Sequence, residues 1–237
     1  MHRRNFVKAC AATAILVHHN PLLLAGGSAR SQLYEPVRLV HRNGEPIRPG
    51  DLEPHANYVF RYPFEAIPCF LLNLNRPTET NVRLKTANGA EYVWRGGVGP
   101  ERSIVSYAAI CTHRLTHPTE QVNFISYRED RSAAAEAGEN LITCCMEHSR
   151  YDPARGAEVL SGPAPSPLMG ILLDYDEQAD EIRAVGVTGE DLLDRFFSQF
   201  EMQLELAYGG LGKARAPVQE TATVVPLSEY TSNDMSC

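Results

Sequence analysis

The sequence predicts a mainly β protein, an antiparallel sandwich or small barrels, with one helix near the C-terminus. Short extended runs alternate with Gly- and Pro-rich turns from about residue 32 to residue 109, a pattern typical of short antiparallel strands. Residues 189–208 instead carry apolar side chains at helical spacing, after an acidic start. With 237 residues, 43% hydrophobic and 22% charged, the chain can bury one core and is neither disordered nor a multi-span membrane protein.

The first residues have the order of an export signal. Arg3-Arg4 resembles a twin-arginine motif, residues 9–17 are apolar, and the small residues 26–29 could hold a cleavage site. His18-His19-Asn20-Pro21 interrupts the apolar stretch, which disfavours a stable spanning helix. We expect residues 1–31 to send the protein to the periplasmic side of a bacterial inner membrane, either as a cleaved signal or as a retained anchor.

The strand candidates follow one another through the body of the chain. They are 34–41, 58–62, 69–74, 82–85, 91–95, 103–110, 121–127, 139–144, 169–175 and 181–187. The polar, Ala-rich segment 128–140 is predicted to be a surface insertion or short helix within a hairpin. From Lys213 the chain is rich in Pro, Thr and Ser, so we expect an extended tail or one that lies on a partner.

Charge and cysteine content narrow the possible functions. A net charge of −7 and a pI near 5.6 argue against a general nucleic-acid binder, which needs a basic surface. The six cysteines do not form the dense pattern of a disulfide-stapled miniprotein, and three of them lie near histidines. This grouping directs attention to metal chemistry. Cys69 is expected to be a buried apolar residue, and Cys237 an exposed, inert one.

Two short motifs carry the candidate ligands. Cys111-Thr112-His113 follows a predicted strand, and Cys145-Met146-Glu147-His148 follows another. Together they offer two thiolates and two imidazoles on two loops. Cys144 precedes Cys145, and which of the two is the ligand stays open, although the spacing to His148 favours Cys145. Zinc takes the same ligand types, so a structural zinc site is an alternative. His117 is expected to be a surface residue or a neighbour of the site rather than a ligand.

Beyond these motifs come Tyr151-Asp152-Pro153 and Ser161-Gly162-Pro163-Ala164-Pro165. This order, over about residues 103–187, resembles the Rieske family, especially the iron–sulfur subunits of quinol–cytochrome c oxidoreductases. The resemblance implies a Rieske-type fold with two cluster-binding loops and one 2Fe-2S cluster. It further implies that Cys111 and Cys145 hold one iron while His113 and His148 hold the other.

The resemblance also assigns residues around the cluster. Gly162, Pro163, Ala164 and Pro165 would form a stiff lid that keeps water away. Ser149 and Tyr151 would donate hydrogen bonds to sulfur, which favours the reduced state.

The chain also departs from the family pattern. The gap between the motifs is longer than usual, which we attribute to the 128–140 insertion, and the segment 148–152 looks one residue short. The extra disulfide of quinol-oxidising members is absent, because Thr116 and Glu147 occupy the matching positions.

The predicted organisation has four parts. Residues 1–31 form the signal or anchor, 32–102 the β-rich N-terminal part of the Rieske domain, 103–188 the cluster-binding region, and 189–237 the C-terminal helix and extended tail.

The predicted function is one-electron transfer, from quinol or a partner redox subunit to a cytochrome, with no substrate chemistry of its own. Expected partners are cytochrome b or c subunits or a molybdopterin subunit. Two alternatives are a small Rieske subunit of a periplasmic molybdenum oxidoreductase, similar to arsenite oxidase, and an exported zinc-binding structural module. A ring-hydroxylating oxygenase is disfavoured, because export would separate it from cytoplasmic reductants.

Overall fold

The computed structural model describes residues 31–129, 140–189 and 191–237. Residues 1–30 of the predicted signal (1–31) and residues 130–139 of the predicted insertion (128–140) lie outside the described residues. No helix within the described ranges is long and apolar enough to cross a membrane. The predicted fold class is confirmed, because strands dominate and the helices are short. The strands are β1 Ser31–Val40, β2 Tyr58–Arg61, β3 Pro68–Asn73, β4 Val82–Lys85, β5 Glu91–Trp94, β6 Ile104–Ala108, β7 Ile125–Glu129, β8 Asn140–Cys144, β9 Ser149–Asp152, β10 Glu158–Ser161, β11 Gly170–Asp176, β12 Glu181–Thr188, β13 Thr221–Thr223 and β14 Val225–Pro226.

An eight-stranded sheet forms the base of the molecule, in the order β13-β1-β12-β11-β6-β3-β2-β14. Its two edge strands, β13 and β14, are separated in sequence only by Val224. One short segment therefore pairs with β1 on one side and with β2 on the other. This arrangement nearly closes the sheet and covers both edges, which would otherwise expose unpaired backbone groups.

A four-stranded antiparallel sheet, β10-β9-β8-β7, carries the second predicted motif. Its β7–β8 pair runs from Ile125↔Cys144 to Glu129↔Asn140, so the segments flanking the predicted insertion form a hairpin. β4 and β5 form a separate two-stranded ribbon. Its Trp94 lies against the tight turn that follows β9, where an added Cβ on Gly156 would approach the Trp94 ring to 2.9 Å.

Two apolar cores fill the molecule. The first lies under the large sheet and includes Phe60, Leu71 and Phe196. The second lies between the β6 end of the large sheet and the four-stranded sheet, and it contains Cys111 and Cys144. Both cysteines are fully buried. The candidate motifs therefore face an apolar interior rather than open solvent.

The C-terminal region forms several short helices: α1 Leu193–Gln199, α2 Glu201–Tyr208, α3 Leu211–Ala214 and α4 Leu227–Tyr230. The single predicted helix of 189–208 is thus divided, because the backbone at Phe200 leaves the helical region at φ −111° and ψ 19°. The apolar stripe still packs into the core, with Phe196 and Phe197 fully buried.

The C-terminal tail lies on its own chain rather than extending away. Asn123 Nδ2 donates to Asp234 Oδ1 at 2.7 Å, and the Met235 N–H donates to the Asn123 carbonyl at 2.9 Å. Arg128 donates to the Met235 carbonyl at 2.8 Å. Cys237 then forms a disulfide with Cys145. The expectation of an inert Cys237 is therefore wrong.

Candidate metal centre

Three segments meet at one end of the second core. The first runs from β6 through Cys111 to Leu115, and the second is the turn 145–148 that joins β8 to β9. The third is the loop 162–166 that follows β10. Thr112 ties the first segment to the third, because its hydroxyl donates to the Ser166 carbonyl at 2.7 Å. The two cysteine motifs, 111–113 and 145–148, and the proline loop 162–165 are therefore neighbours in space, although they are distant in the sequence.

The thiols of Cys111 and Cys144 contact each other. Cys144 donates a hydrogen bond to the Cys111 sulfur, and this bond, assisted by the Tyr151 hydroxyl, lowers the pKa of Cys111 to about 6 in spite of its burial. The same contact raises the pKa of Cys144, since a second thiolate would lie beside the first without water to screen it. The pair can therefore present thiolate sulfur to a metal on loss of its shared proton.

Backbone N–H groups support both sulfurs in the same way. Those of His113 and Arg114 point at Cys111, and those of Met146 and Glu147 point at Cys144. In each loop the donors come two and three residues after the cysteine. The two loops are therefore equivalent in how they would stabilise negative charge on sulfur.

Tyr151 is fully buried, and its hydroxyl lies 3.2 Å from Cys111 Sγ. Strand β9 places it there, since Tyr151 pairs with Ile142 on β8. Burial, and next the charge on Cys111, raises the pKa of Tyr151. The hydroxyl therefore keeps its proton and can donate it to sulfur, in the position that the resemblance implied.

The structure distinguishes the two candidates for the second thiolate, Cys144 and Cys145, between which the sequence left the choice open. Cys145 forms a disulfide with Cys237, so its sulfur is not free to bind iron in this state, whereas Cys144 is free and buried. Alternation along the strand explains the difference. Cys144 is the last residue of β8 and points into the core, so Cys145 is turned toward the surface and the tail.

On the imidazole side of the site, His113 and His148 have different surroundings. Nδ1 of His113 lies 3.8 Å from Oε2 of Glu147, and about a quarter of each side chain is exposed. Arg114 approaches the other oxygen of Glu147 at 3.4 Å. His148 is exposed and has a positive φ of 56°. The assignment of His113 and His148 as ligands stays a prediction, but the group that faces His113 is the carboxylate of Glu147.

The predicted lid lies directly on the second loop. An added Cβ on Gly162 would be 2.5 Å from Ser149 Cα and 2.7 Å from the His148 carbonyl oxygen, so only glycine permits this approach. Pro163 and Pro165 are exposed, while Ala164 packs against the second core. These contacts place the loop where a lid over the site would lie.

Two buried polar atoms at the site have no hydrogen-bond partner among the described residues. They are Nδ1 of His113 and Oγ of Ser149. Buried polar groups are rarely left unpaired, so both atoms indicate a group that binds between the loops. A hydroxyl that can donate to sulfur and an imidazole nitrogen that can bind iron, next to two thiols, fit a 2Fe-2S cluster between the loops.

Within residues 31–129, 140–189 and 191–237, no three His, Cys, Asp or Glu side chains surround a single point. A tetrahedral structural zinc needs four such ligands, whereas each iron of a Rieske centre takes only two from the protein. The side chains of the site are arranged in two separate pairs, Cys111 with Cys144 and His113 with Glu147.

Two neighbouring predictions can also be checked. Cys69 is fully buried, as predicted, and its thiol donates to the Tyr62 carbonyl at 3.1 Å. His117 is partly buried. It lies edge-on between Phe196 and Phe200, with ring centroids 4.8 and 4.7 Å away.

Comparisons with known proteins give two similarities. The chain is 28% identical over 193 residues to the iodate reductase subunit IdrB of Denitromonas iodatirespirans, covering 80% of this chain and 82% of that one. It is 29% identical to the soluble domain of Rieske protein II (soxF) from Sulfolobus acidocaldarius, over 57% of this chain and 71% of that one, with a TM-score of 0.41. No family model matches the chain.

The resemblance to the Rieske family that the motifs predicted is confirmed. The chain is therefore similar to proteins of the Rieske class.

Among the proteins to which it is similar are a Rieske protein and the reductase subunit IdrB.

Proposed function

We propose that the protein is an electron-transfer subunit that carries one electron through a single Rieske-type 2Fe-2S cluster. The observation that carries this proposal is the buried pair of thiols, Cys111 and Cys144, with the Tyr151 hydroxyl 3.2 Å from the first sulfur. A bound cluster would supply reversible one-electron chemistry at this position.

The residues of this chain would then set the conditions of transfer. The thiols of Cys111 and Cys144 would hold one side of the cluster. The hydroxyls of Tyr151 and Ser149 would donate hydrogen bonds to sulfur and stabilise the added negative charge of the reduced state. The proline loop, which contacts Ser149 through Gly162, would keep water from the site.

The partner we propose is a larger redox subunit. The relative IdrB is named as a subunit of an iodate reductase, which favours a small Rieske subunit of a molybdenum oxidoreductase over the iron–sulfur subunit of a quinol–cytochrome c oxidoreductase. The protein would pass electrons between that subunit and a cytochrome. The site would not contact the substrate of the larger subunit.

Purified protein tests the cofactor directly. We expect a coloured sample with two irons and two acid-labile sulfides per chain, and an EPR signal of Rieske type after reduction. Replacement of Cys111 by Ser should abolish both colour and signal, while replacement of the buried Cys69 by Ala should keep them. A colourless protein that holds zinc and no acid-labile sulfide would refute the proposal.

A second experiment addresses partner and location. The twin-arginine motif Arg3-Arg4 supports export, so we propose that the protein works on the periplasmic side of the inner membrane. Affinity purification from periplasm and from membranes should recover a molybdopterin subunit, and Arg3→Lys/Arg4→Lys should retain the protein in the cytoplasm. Recovery with a cytochrome b would instead support quinol oxidation.

A further inference from the structure

When the Cys-x-x-His motif is read from Cys145, its last residue is His148, the predicted ligand. When the same spacing is read from Cys144, its last residue is a different one. If Cys144 is the second thiolate, the residue three positions later is Glu147. We propose that the carboxylate of Glu147, rather than the imidazole of His148, is the second ligand of the iron that His113 binds. This inference rests on the proposed function and changes the chemistry of that same site.

The position of the second thiolate is the first support. Cys144 contacts Cys111, whereas Cys145 is joined to Cys237 at the surface. The backbone donors agree with this choice. In the first loop they lie two and three residues after Cys111, at His113 and Arg114. In the second loop they lie two and three residues after Cys144, at Met146 and Glu147.

The second support is the carboxylate itself. Oε2 of Glu147 lies 3.8 Å from Nδ1 of His113, the buried nitrogen without a hydrogen-bond partner among the described residues. At that separation the two atoms are too far apart for a good hydrogen bond, yet close enough for both to bind one ion. Carboxylate oxygen is an accepted iron ligand next to imidazole.

The third support is the conformation of His148. Its backbone has a positive φ of 56°, which an ordinary side chain rarely adopts, and its carbonyl oxygen backs onto Gly162 of the lid. The side chain is exposed. His148 therefore forms part of the tight turn into β9 with its side chain exposed, and the side chain of this loop that faces His113 is that of Glu147.

Glu147 also approaches Arg114, at 3.4 Å. The side chain of Arg114 is 70% exposed, so this contact is a surface ion pair, of the kind that contributes little to stability. A purely structural Glu147 would therefore have little effect on the metal, and the two roles can be separated.

Nitrogen couplings of the reduced protein decide the question. Pulsed EPR on the full chain should show one strongly coupled ¹⁴N, from His113, and His148→Gln should leave the spectrum unchanged. Glu147→His should add a second strongly coupled ¹⁴N and raise the midpoint potential, because a neutral ligand replaces a negative one. Arg114→Gln, which breaks only the ion pair, should leave the coupling pattern intact.

Two strongly coupled nitrogens in the wild-type protein would overturn the inference, as would loss of one of them in His148→Gln. Both results leave the proposed function standing, because they still require the cluster. Wild-type protein without iron and sulfide would refute the proposed function itself, and with it this inference. The pulsed EPR measurement on the wild-type protein tests the inference even if none of the variants folds.

Discussion

Cys237→Ser should destabilise the protein by removing the bond between the tail and the second loop. The disulfide joins residues separated by 92 positions. In the loop-entropy model a closed loop of this size removes about 15.6 cal/mol/K from the unfolded chain, or about 4.6 kcal/mol at 25 °C. For a chain of this length each kcal/mol corresponds to roughly 2 to 4 °C in Tm, so the loss should be about 9 to 18 °C.

Denaturant unfolding and calorimetry would measure this loss, and Cys145→Ser is its matched control. The two single variants remove the same bond, so each should lose the same stability, and the double variant should lose no more than either. Additive losses, or a loss below about 1 kcal/mol in Cys237→Ser, would refute the reasoning.

The same pair of variants also reports on the metal. If Cys144 is the thiolate ligand, both Cys145→Ser and Cys237→Ser keep the iron and the visible spectrum. If Cys145 were the ligand, Cys145→Ser would lose them while Cys237→Ser would not. Mass spectrometry of the alkylated protein should find Cys145 and Cys237 in one linked peptide.

Tyr151→Phe should lower the midpoint potential by about 45 to 65 mV in a redox titration, because one hydrogen bond to sulfur is worth about 1 to 1.5 kcal/mol; an unchanged potential would show that the hydroxyl does not donate to the cluster. Gly162→Ala should displace the lid and speed the loss of iron to a chelator, whereas Gly89→Ala, at a similar positive φ but with nothing within 4 Å, should not; equal rates would contradict a lid. Burial lowers the pKa of His117, so its neutral form is favoured on folding. Stability should therefore be full above the unfolded pKa of about 6.5 and fall as the pH drops below it. His117→Gln should flatten that slope in unfolding curves from pH 5 to 8, and an unchanged slope would assign it to other groups.

Most of the fold follows from local pattern. The turn signals bound β2, β4 and β5 to within one residue of their observed ends, because short strands between Gly and Pro turns leave little freedom. The helix was predicted as one piece since its apolar spacing continues through Phe200. The tail could not be predicted at all. Its place depends on pairing with β1 and β2 and on Asn123, contacts between residues far apart in sequence.

The sequence predicts the candidate site in outline and leaves one choice open in its second loop, between Cys144 and Cys145. Spacing alone favours Cys145, since a Cys-x-x-His match ends at His148. Strand pairing favours Cys144 instead. Cys144 on β8 pairs with Ser149 on β9, and Cys144 and Tyr151 are both buried in the core. Counting backward from Tyr151 therefore favours Cys144 and Glu147, the ligands proposed above, and the residue missing between His148 and Asp152 is the sequence feature that points to this alternative. The physical reason for preferring the count from Tyr151 is that a buried strand has a fixed register, whereas a surface turn such as 145–148 can shift by one residue without exposing the core.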